Sequence, residues 1–348
     1  MQLTIHDIAF GGKGVGRSEG LAVFVPFTIP GETVEVELSR RKKNYAEASL
    51  VAVENPSPDR VEPLCRYFGR CGGCAYQHIA YARQLEVKSR QVEQTLRRLG
   101  KLAEVPMTPM IASPQPYGYR NRIRVHVAGG VVGFYAHDAN ALLDIEECPI
   151  ASPEVNGRLA ELRSRVLPDG DYTVAERRHE GFFEQTNDAV ARAMLAKVAE
   201  LITPGGRLVD AYCGAGFFSR HLRDRFDEVI GIEENEFAVA HARSIAQPHE
   251  RYLAGDVAAH LPEVLAEPGE TSLILDPPSA GVSPRVLDAV GAAALRGLRE
   301  VIYVSCNPAT LARDLATLTR SARLIAVTPL DMFPQTAEIE VIAHLRRL

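Results

Sequence analysis

Cys306 sits in Tyr303-Val-Ser-Cys-Asn-Pro-Ala-Thr-Leu-Ala-Arg-Asp314, where an apolar, strand-like run meets a helical pattern. A thiol there feels the positive end of the helix, which lowers its pKa and favours the nucleophilic thiolate. A lone cysteine in that place is otherwise a small buried hydrophobe. A second chemical feature lies upstream: Asp210-Ala-Tyr-Cys-Gly-Ala-Gly216 reads as strand end, tight turn and helix start. Gly214 and Gly216 let a ligand approach the backbone, and Asp210 can take a cationic or hydroxylated group. Glu233 follows about 20 residues on, at the end of the next strand, where a carboxylate accepts hydrogen bonds from ribose hydroxyls. The loop has no third glycine and no phosphate-cradling Lys-Ser/Thr pair, which weighs against a nicotinamide or ATP site. Counted together with Glu233 and Asp256, it reads as nucleoside-binding, whereas the glycine pair alone fits any strand-turn-helix.

Cys65, Cys71 and Cys74 follow a Cys-x5-Cys-x2-Cys spacing amid Gly69, Gly72 and Gly73, with Cys148-Pro149 further on. Glycine permits a tight loop in which such thiols converge. Four thiolates suit either Zn²⁺ or an iron–sulfur cluster, and the spacing leaves that choice open. Chance clustering is the bland alternative. No run of about 18 apolar residues marks a membrane span, and the opening segment lacks the basic-then-apolar layout of a secretory signal. The protein is read as cytoplasmic, where disulfides are rare and clustered cysteines point to metal or catalysis.

These groups need elements to hold them. Residues 21–27, 33–39 and 46–55 have β-branched and alternating character, while Gly11, Gly12, Gly14, Gly16 and Gly20 break the opening segment. Several short strands in so few residues suggest a small barrel, of which oligonucleotide-binding barrels are one type. Asn55-Pro56-Ser57-Pro58 is a linker. A basic helix is expected over roughly 81–100, with Leu85, Val92, Leu96 and Leu99 as its apolar stripe and Gly100 ending it. Residues 122–135 alternate as strands around a Gly129-Gly130 hairpin turn. From about residue 185, strands at 207–213, 228–234, 272–278 and 300–306 alternate with amphipathic stretches such as 235–246 and 308–318. That alternation predicts a parallel sheet covered by helices on both faces, with active residues outside the carboxyl ends of its strands.

The formal net charge is −5, yet residues 60–124 hold 12 Lys or Arg against four acidic residues. A basic segment in an acidic chain can hold a phosphate backbone locally, although such a run also serves as a solvated face. Arg40, Arg41, Lys42, Lys43, the basic helix and Tyr119-Arg120-Asn121-Arg122 are the candidate phosphate contacts, with Arg124 alternating to the same face.

The Cys306 segment resembles the signature of the RNA uracil-C5 methyltransferases, and the resemblance extends over nearly the whole chain. Residues 210–216 resemble the family's methyl-donor loop, 276–281 its substrate-side acidic motif, 333–340 its C-terminal base motif and 181–187 the opening of its catalytic domain. The first 54 residues resemble a TRAM domain, an RNA-binding barrel. The fold this implies is α/β, a Rossmann-like class I methyltransferase domain (181–348) with an N-terminal TRAM/OB-like β-barrel (1–54) and a small iron–sulfur-containing α+β central domain (55–180).

By the same resemblance, Cys306 is the nucleophile and Glu340 the base. S-adenosylmethionine is the donor, contacted by Gln185, Tyr212, Glu233 and Asp276, with Asp256 near the adenine. A [4Fe-4S] cluster sits on Cys65, Cys71, Cys74 and Cys148. One departure is that Ala337 and Glu338 stand where many members have histidine. On a strand, Glu338 and Glu340 would share one face, and Glu340 aligns with the family glutamate.

Ribosomal RNA of the large subunit is the expected partner and transfer RNA the alternative, with a monomer as the default. Cytosine-C5 methylation also uses a cysteine, but usually in a Pro-Cys context unlike Ser305-Cys306-Asn307. A non-catalytic iron–sulfur RNA-binding protein would have no use for Cys306, Glu340 and Asp276. Amino-group methylation, suggested by Asp276-Pro277-Pro278, would leave Cys306 without a role.

Overall fold

The computed structural model describes residues 1–137, 141–177 and 184–348. Gly181, Phe182 and Phe183 of the expected domain-opening segment, and the expected boundary at residue 180, lie outside the described residues. The chain forms two compact units. Met1–Gln91, Ser113–Arg178 and Phe333–Glu338 make the first, and Val92–Ala112, His179–Met332 and Ile339–Leu348 the second.

In the first unit, strands β1 (Gln2–Ile8), β2 (Gly14–Ser18), β3 (Leu21–Val25), β4 (Thr33–Arg41) and β5 (Tyr45–Asn55) close a barrel in the order β1-β2-β3-β5-β4. Alternation places Leu3, Ile5, Val23, Val25, Val34 and Val36 inside it. The reading of Gly14 and Gly16 as breaks is corrected, because both lie within β2. They are needed for close approach: a Cβ on Gly14 would meet Thr28 Oγ1 at 2.0 Å, and one on Gly16 would meet Leu3 Cγ at 2.5 Å. Arg60 bolts the linker to the barrel, its Nε and Nη2 donating to buried Glu32 at 2.6 and 2.8 Å.

Helix α1 (Tyr81–Arg98) follows the cysteine loop. Its Val87 packs with Ile8, Ile29, Tyr76 and Ile79. Strands β6 (Arg122–Ala128), β7 (Val131–Tyr135), β8 (Leu142–Asp144) and β9 (Gly170–Ala175) form a second sheet, in the order β8-β7-β6-β9. The expected Gly129-Gly130 turn joins β6 to β7, which pair from Ala128↔Val131. Helix α2 (Pro153–Arg163), capped by Ser152, covers one face of this sheet through Val155 and Leu159.

The second unit contains α3 (Asp188–Leu201), β10 (Arg207–Ala211), α4 (Ser219–Leu222), β11 (Glu228–Glu233), α5 (Glu236–Ser244), β12 (Glu250–Ala254) and α6 (Val257–Ala266). It continues through β13 (Thr271–Leu275), α7 (Pro284–Ala294), β14 (Leu298–Ser305), α8 (Pro308–Leu318), β15 (Ala322–Leu330) and β16 (Glu340–Arg347). Its seven strands run β12-β11-β10-β13-β14-β16-β15. The five strands β10 to β14 pair in parallel, and β13 is buried throughout, as a strand covered on both faces must be. The four strands expected from the sequence, β10, β11, β13 and β14, lie in the parallel part, and β16, which was not expected, runs antiparallel to both β14 and β15. The short connection 331–339 returns the chain as a hairpin, with no room for a crossover helix.

The basic helix ends two residues earlier than expected, and Leu99 is exposed at 59% instead of completing the stripe. Val92 and Leu96 are buried in the core of the second unit. No helix among the described residues is long and apolar enough to cross a membrane.

Candidate active site

The parallel strands of the second unit end at one edge of the sheet and deliver the candidate residues there. Asp210 is the last residue but one of β10, Glu233 closes β11, Asp276 follows β13 and Cys306 follows β14. Because β16 runs the other way, its first residue, Glu340, arrives at the same edge. The β14–β16 ladder pairs Val304 with Ile342 and ends at Ser305 with Val341, so Cys306 follows its last rung on one strand and Glu340 precedes it on the other. Cys306 is half-buried, while Glu340 is only 5% exposed.

Glu338 has a different environment. It precedes β16, and its side chain is 62% exposed, 4.0 Å from Arg120. Its segment is tied within the first unit. Buried Lys88 donates to the Phe333 and Glu338 carbonyls at 3.0 and 2.9 Å, while Gln84 Nε2 donates to Gln335 Oε1 at 3.0 Å and Gln84 Oε1 accepts from Gln335 N at 3.2 Å. Tyr119 donates to the Pro334 carbonyl at 3.0 Å. The expectation that the two glutamates share a strand face is therefore corrected.

The loop after β10 is built to leave space. Tyr212 has φ +65°, a left-handed conformation uncommon for a bulky residue, followed by Gly214 at +55° and Gly216 at +86°. Tyr212 and Cys213 both donate to the Ile232 carbonyl, at 2.8 and 3.1 Å. Glu233 ties the two loops together, accepting from Gly214 N at 3.0 Å and Asn235 N at 2.8 Å.

Asp210 is fully buried; its Oδ2 accepts from Ser219 N at 2.9 Å, and its Oδ1 is buried with no hydrogen-bond partner. Burial pushes the Asp210 carboxyl up to about 7, with the Glu233 charge adding and the Ser219 bonds opposing. Burial likewise raises Asp276 to about 7, with the Asp210 charge adding. Asp256 caps α6, accepting from Ala258 N at 2.9 Å. Burial pushes the Tyr212 phenol up to about 12, and the charges of Asp256 and Asp314 add to it. Gln185 is part-buried just ahead of α3, whose cap Asn187 donates to the Met332 carbonyl at 3.3 Å. An orphaned buried carboxylate oxygen beside an open glycine turn suits a small cationic ligand with a nucleoside, as S-adenosylmethionine is.

The structure adds residues that the sequence reading passed over. The Ser279 carbonyl accepts from Asn307 Nδ2 at 3.2 Å and Thr310 Oγ1 at 3.0 Å, and the Ala280 carbonyl accepts from Arg313 Nη2 at 3.0 Å. Asp314, fully buried, accepts from Tyr303 Oη at 2.7 Å, Val282 N at 3.0 Å and Arg313 Nε at 2.8 Å. The available signal was an acid on the apolar 311, 315, 318 stripe of α8.

The four cysteines of the first unit are part-buried. Burial pushes the Cys74 thiol up to about 12, the charges of Cys148, Cys71 and Cys65 adding, and the Cys148 thiol up to about 11, Cys65 and Cys71 adding. The thiols thus lie in one another's fields. Among the described residues, no three His, Cys, Asp or Glu side chains form a group that could hold a metal ion.

Of the candidate RNA contacts, Arg40, Arg41, Lys42 and Lys43 are exposed at the β4–β5 turn. Much of the basic helix is used internally. Arg83 pairs with Asp59 and Glu86, Arg90 with Asp7 and Arg97 with Glu93, and Arg124 pairs with Asp171.

A TRAM domain profile matches residues 1–51, and the profile of the tRNA (Uracil-5-)-methyltransferase family matches residues 265–348. The chain is similar to an uncharacterized RNA methyltransferase of Thermosynechococcus vestitus, 32% identical over 99% of this chain and 97% of the relative. It is also similar to a 23S rRNA (uracil(1939)-C(5))-methyltransferase of Thiobacillus denitrificans, 30% identical over 97% of each chain. Among solved structures it is similar to the Pyrococcus abyssi tRNA (uracil-54, C5)-methyltransferase in complex with S-adenosyl-L-homocysteine. That likeness has a TM-score of 0.75 and 26% identity, and covers 99% of this chain and 100% of the other. A TRAM barrel joined to a methyltransferase sheet, with full-length likeness to these enzymes, shows that the chain belongs to the RNA uracil-C5 methyltransferase family, which takes its methyl group from S-adenosylmethionine.

Proposed function

We propose that the enzyme methylates carbon 5 of a uridine in structured large-subunit ribosomal RNA, with Cys306 as nucleophile and Glu340 as base. The observation that carries this reading is that Cys306 and Glu340 flank the last rung of the β14–β16 ladder, Ser305↔Val341. Carbon 5 of uracil is a poor nucleophile. Addition of the Cys306 thiolate to carbon 6 converts the ring to an enolate, whose carbon 5 displaces the sulfonium methyl and releases S-adenosylhomocysteine. Glu340 then takes the carbon 5 proton, the ring re-forms its double bond, and the thiolate leaves. The target base must be unstacked to reach Cys306, at a cost of a few kcal/mol that phosphate contacts offset. Arg40 to Lys43 are the supporting candidates on the barrel.

Ribosomal RNA is favoured by the full-length likeness to the Thiobacillus enzyme, and transfer RNA by the likeness to the Pyrococcus structure. Methylation of separate unmodified 23S ribosomal and transfer RNA transcripts, read by nucleoside mass spectrometry, tests the choice. 5-Methyluridine is expected in the ribosomal transcript, and its appearance in transfer RNA alone would reverse the assignment.

In the donor site, Gln185, Tyr212, Gly214, Gly216, Glu233, Asp256 and Asp276 surround S-adenosylmethionine, with the Asp210 carboxylate serving the donor's positive charge. A cation binds the ionised acid, so affinity is fully present above the raised pKa of Asp210 and is lost as pH falls through about 7. Binding of S-adenosylhomocysteine, which keeps the ammonium group, is expected to weaken about tenfold between pH 8 and pH 6. Calorimetry at both values checks this, and an unchanged affinity would remove Asp210 from the donor site.

Cys65, Cys71, Cys74 and Cys148 are proposed to hold a [4Fe-4S] cluster that fixes the fold of their loop. The support is the all-sulfur donor set and the mutual fields of the four thiols. A cluster presents four separate irons, so its thiolates stand farther apart than the ligands of one ion. Anaerobic purification is expected to yield about four irons with acid-labile sulfide per chain, lost in Cys148→Ser. Zinc without sulfide would refute the cluster.

A further inference from the structure

Burying a carboxylate is costly unless its oxygens are satisfied. Asp314 is satisfied by three donors from three segments: Tyr303 Oη of β14, Val282 N of the loop after β13, and Arg313 Nε of its own helix. Three neighbouring bonds run alongside, from Asn307 and Thr310 to the Ser279 carbonyl and from Arg313 to the Ala280 carbonyl. The loop is thus fastened to α8 at residues 279, 280 and 282. Asp276 stands at one end of that loop, Cys306 lies at the start of α8, and Tyr303 comes three residues before Cys306. Tyr212 of the donor loop lies in the field of Asp314 as well.

We infer that Asp314 is a positioning residue for methyl transfer, locking the Asp276 loop and the Cys306 turn into one rigid body through Val282 and Tyr303. The inference rests on the proposed roles of Cys306 and Asp276. Its effect is geometric: a misplacement of about 1 Å between reacting groups costs on the order of 10²-fold in rate.

Tyr303→Phe deletes a single hydroxyl, and Asp314→Asn keeps the side-chain shape. RNA carrying 5-fluorouridine reports on the step, because after methyl transfer carbon 5 has no proton for a base to remove and the methylated protein–RNA adduct persists. For enzyme quantified by donor binding, adduct formation is expected to slow about tenfold in Tyr303→Phe and about 10²-fold in Asp314→Asn. S-adenosylhomocysteine affinity and the KM for RNA should stay within about threefold of wild type. If Asp314→Asn does not fold, Thr310→Val removes one of the parallel links from a part-buried position and should slow the adduct about threefold. Wild-type adduct rates in the folded variants would overturn the inference, as would losses that only track the unfolded fraction. If the wild-type enzyme forms no adduct at all, the Cys306 reading falls, and this inference with it.

Discussion

Cys306→Ala is expected to abolish methyl transfer, by at least about 10⁴-fold, while donor affinity stays within about threefold. Without the thiolate there is no addition at carbon 6, and carbon 5 keeps the weak nucleophilicity of an unactivated pyrimidine. Serine should not substitute, since its hydroxyl is far less acidic than a thiol and the neighbouring helix field is too small to close that gap. No second thiol in the same unit stands ready. Cys213 is 4% exposed, and burial holds its thiol well above the ordinary range, with the charges of Asp210 and Glu233 adding. Labelled-methyl transfer and a denaturing gel for the protein–RNA adduct measure both effects. Turnover within tenfold of wild type would place the nucleophile elsewhere.

Glu340→Gln should give the opposite picture on that gel. Addition and methyl transfer need no base at carbon 5, so the variant is expected to accumulate the methylated adduct while turnover falls about 10²–10⁴-fold. Glutamine keeps the shape of the side chain in its buried place on β16, so misfolding is a poor alternative explanation. Glu338→Gln, at an exposed position before the strand, should turn over within about threefold of wild type. If Glu338→Gln traps the adduct and Glu340→Gln turns over, the assignment is reversed.

The elements that carry the candidate donor loop and the candidate nucleophile were legible in the sequence because their signals are local. Strand, turn and helix follow one another within residues 207–222, and Cys306 lies between an apolar run and a proline-started helix. The surroundings of the two candidate bases were less legible. Whether Glu338 and Glu340 share a face depends on where β16 begins, and that is set by partners distant in sequence. Gln84 and Lys88 hold residues 333–338 from about 250 positions away. The direction of β16 was hidden for the same reason, as a buried antiparallel strand and a buried parallel one carry similar apolar runs.

Gly14 and Gly16 were misread because a glycine serving close approach looks, in a sequence, like a glycine serving a turn. Asp314 was quoted with its motif but given no task, since its partners Val282 and Tyr303 come from other elements. The basic helix shows the limit of charge counting, because ion pairs occupy arginines that a tally of sequence charge offers to RNA.

The most direct test of the account uses RNA transcribed with uridine tritiated at carbon 5 and a methyl donor labelled with a second isotope. Tritium release in step with methyl incorporation, both absent in Cys306→Ala, is the predicted result, because every transferred methyl must displace the carbon 5 hydrogen. Methyl incorporation with the tritium retained would show that another atom is the acceptor and would contradict the central claim.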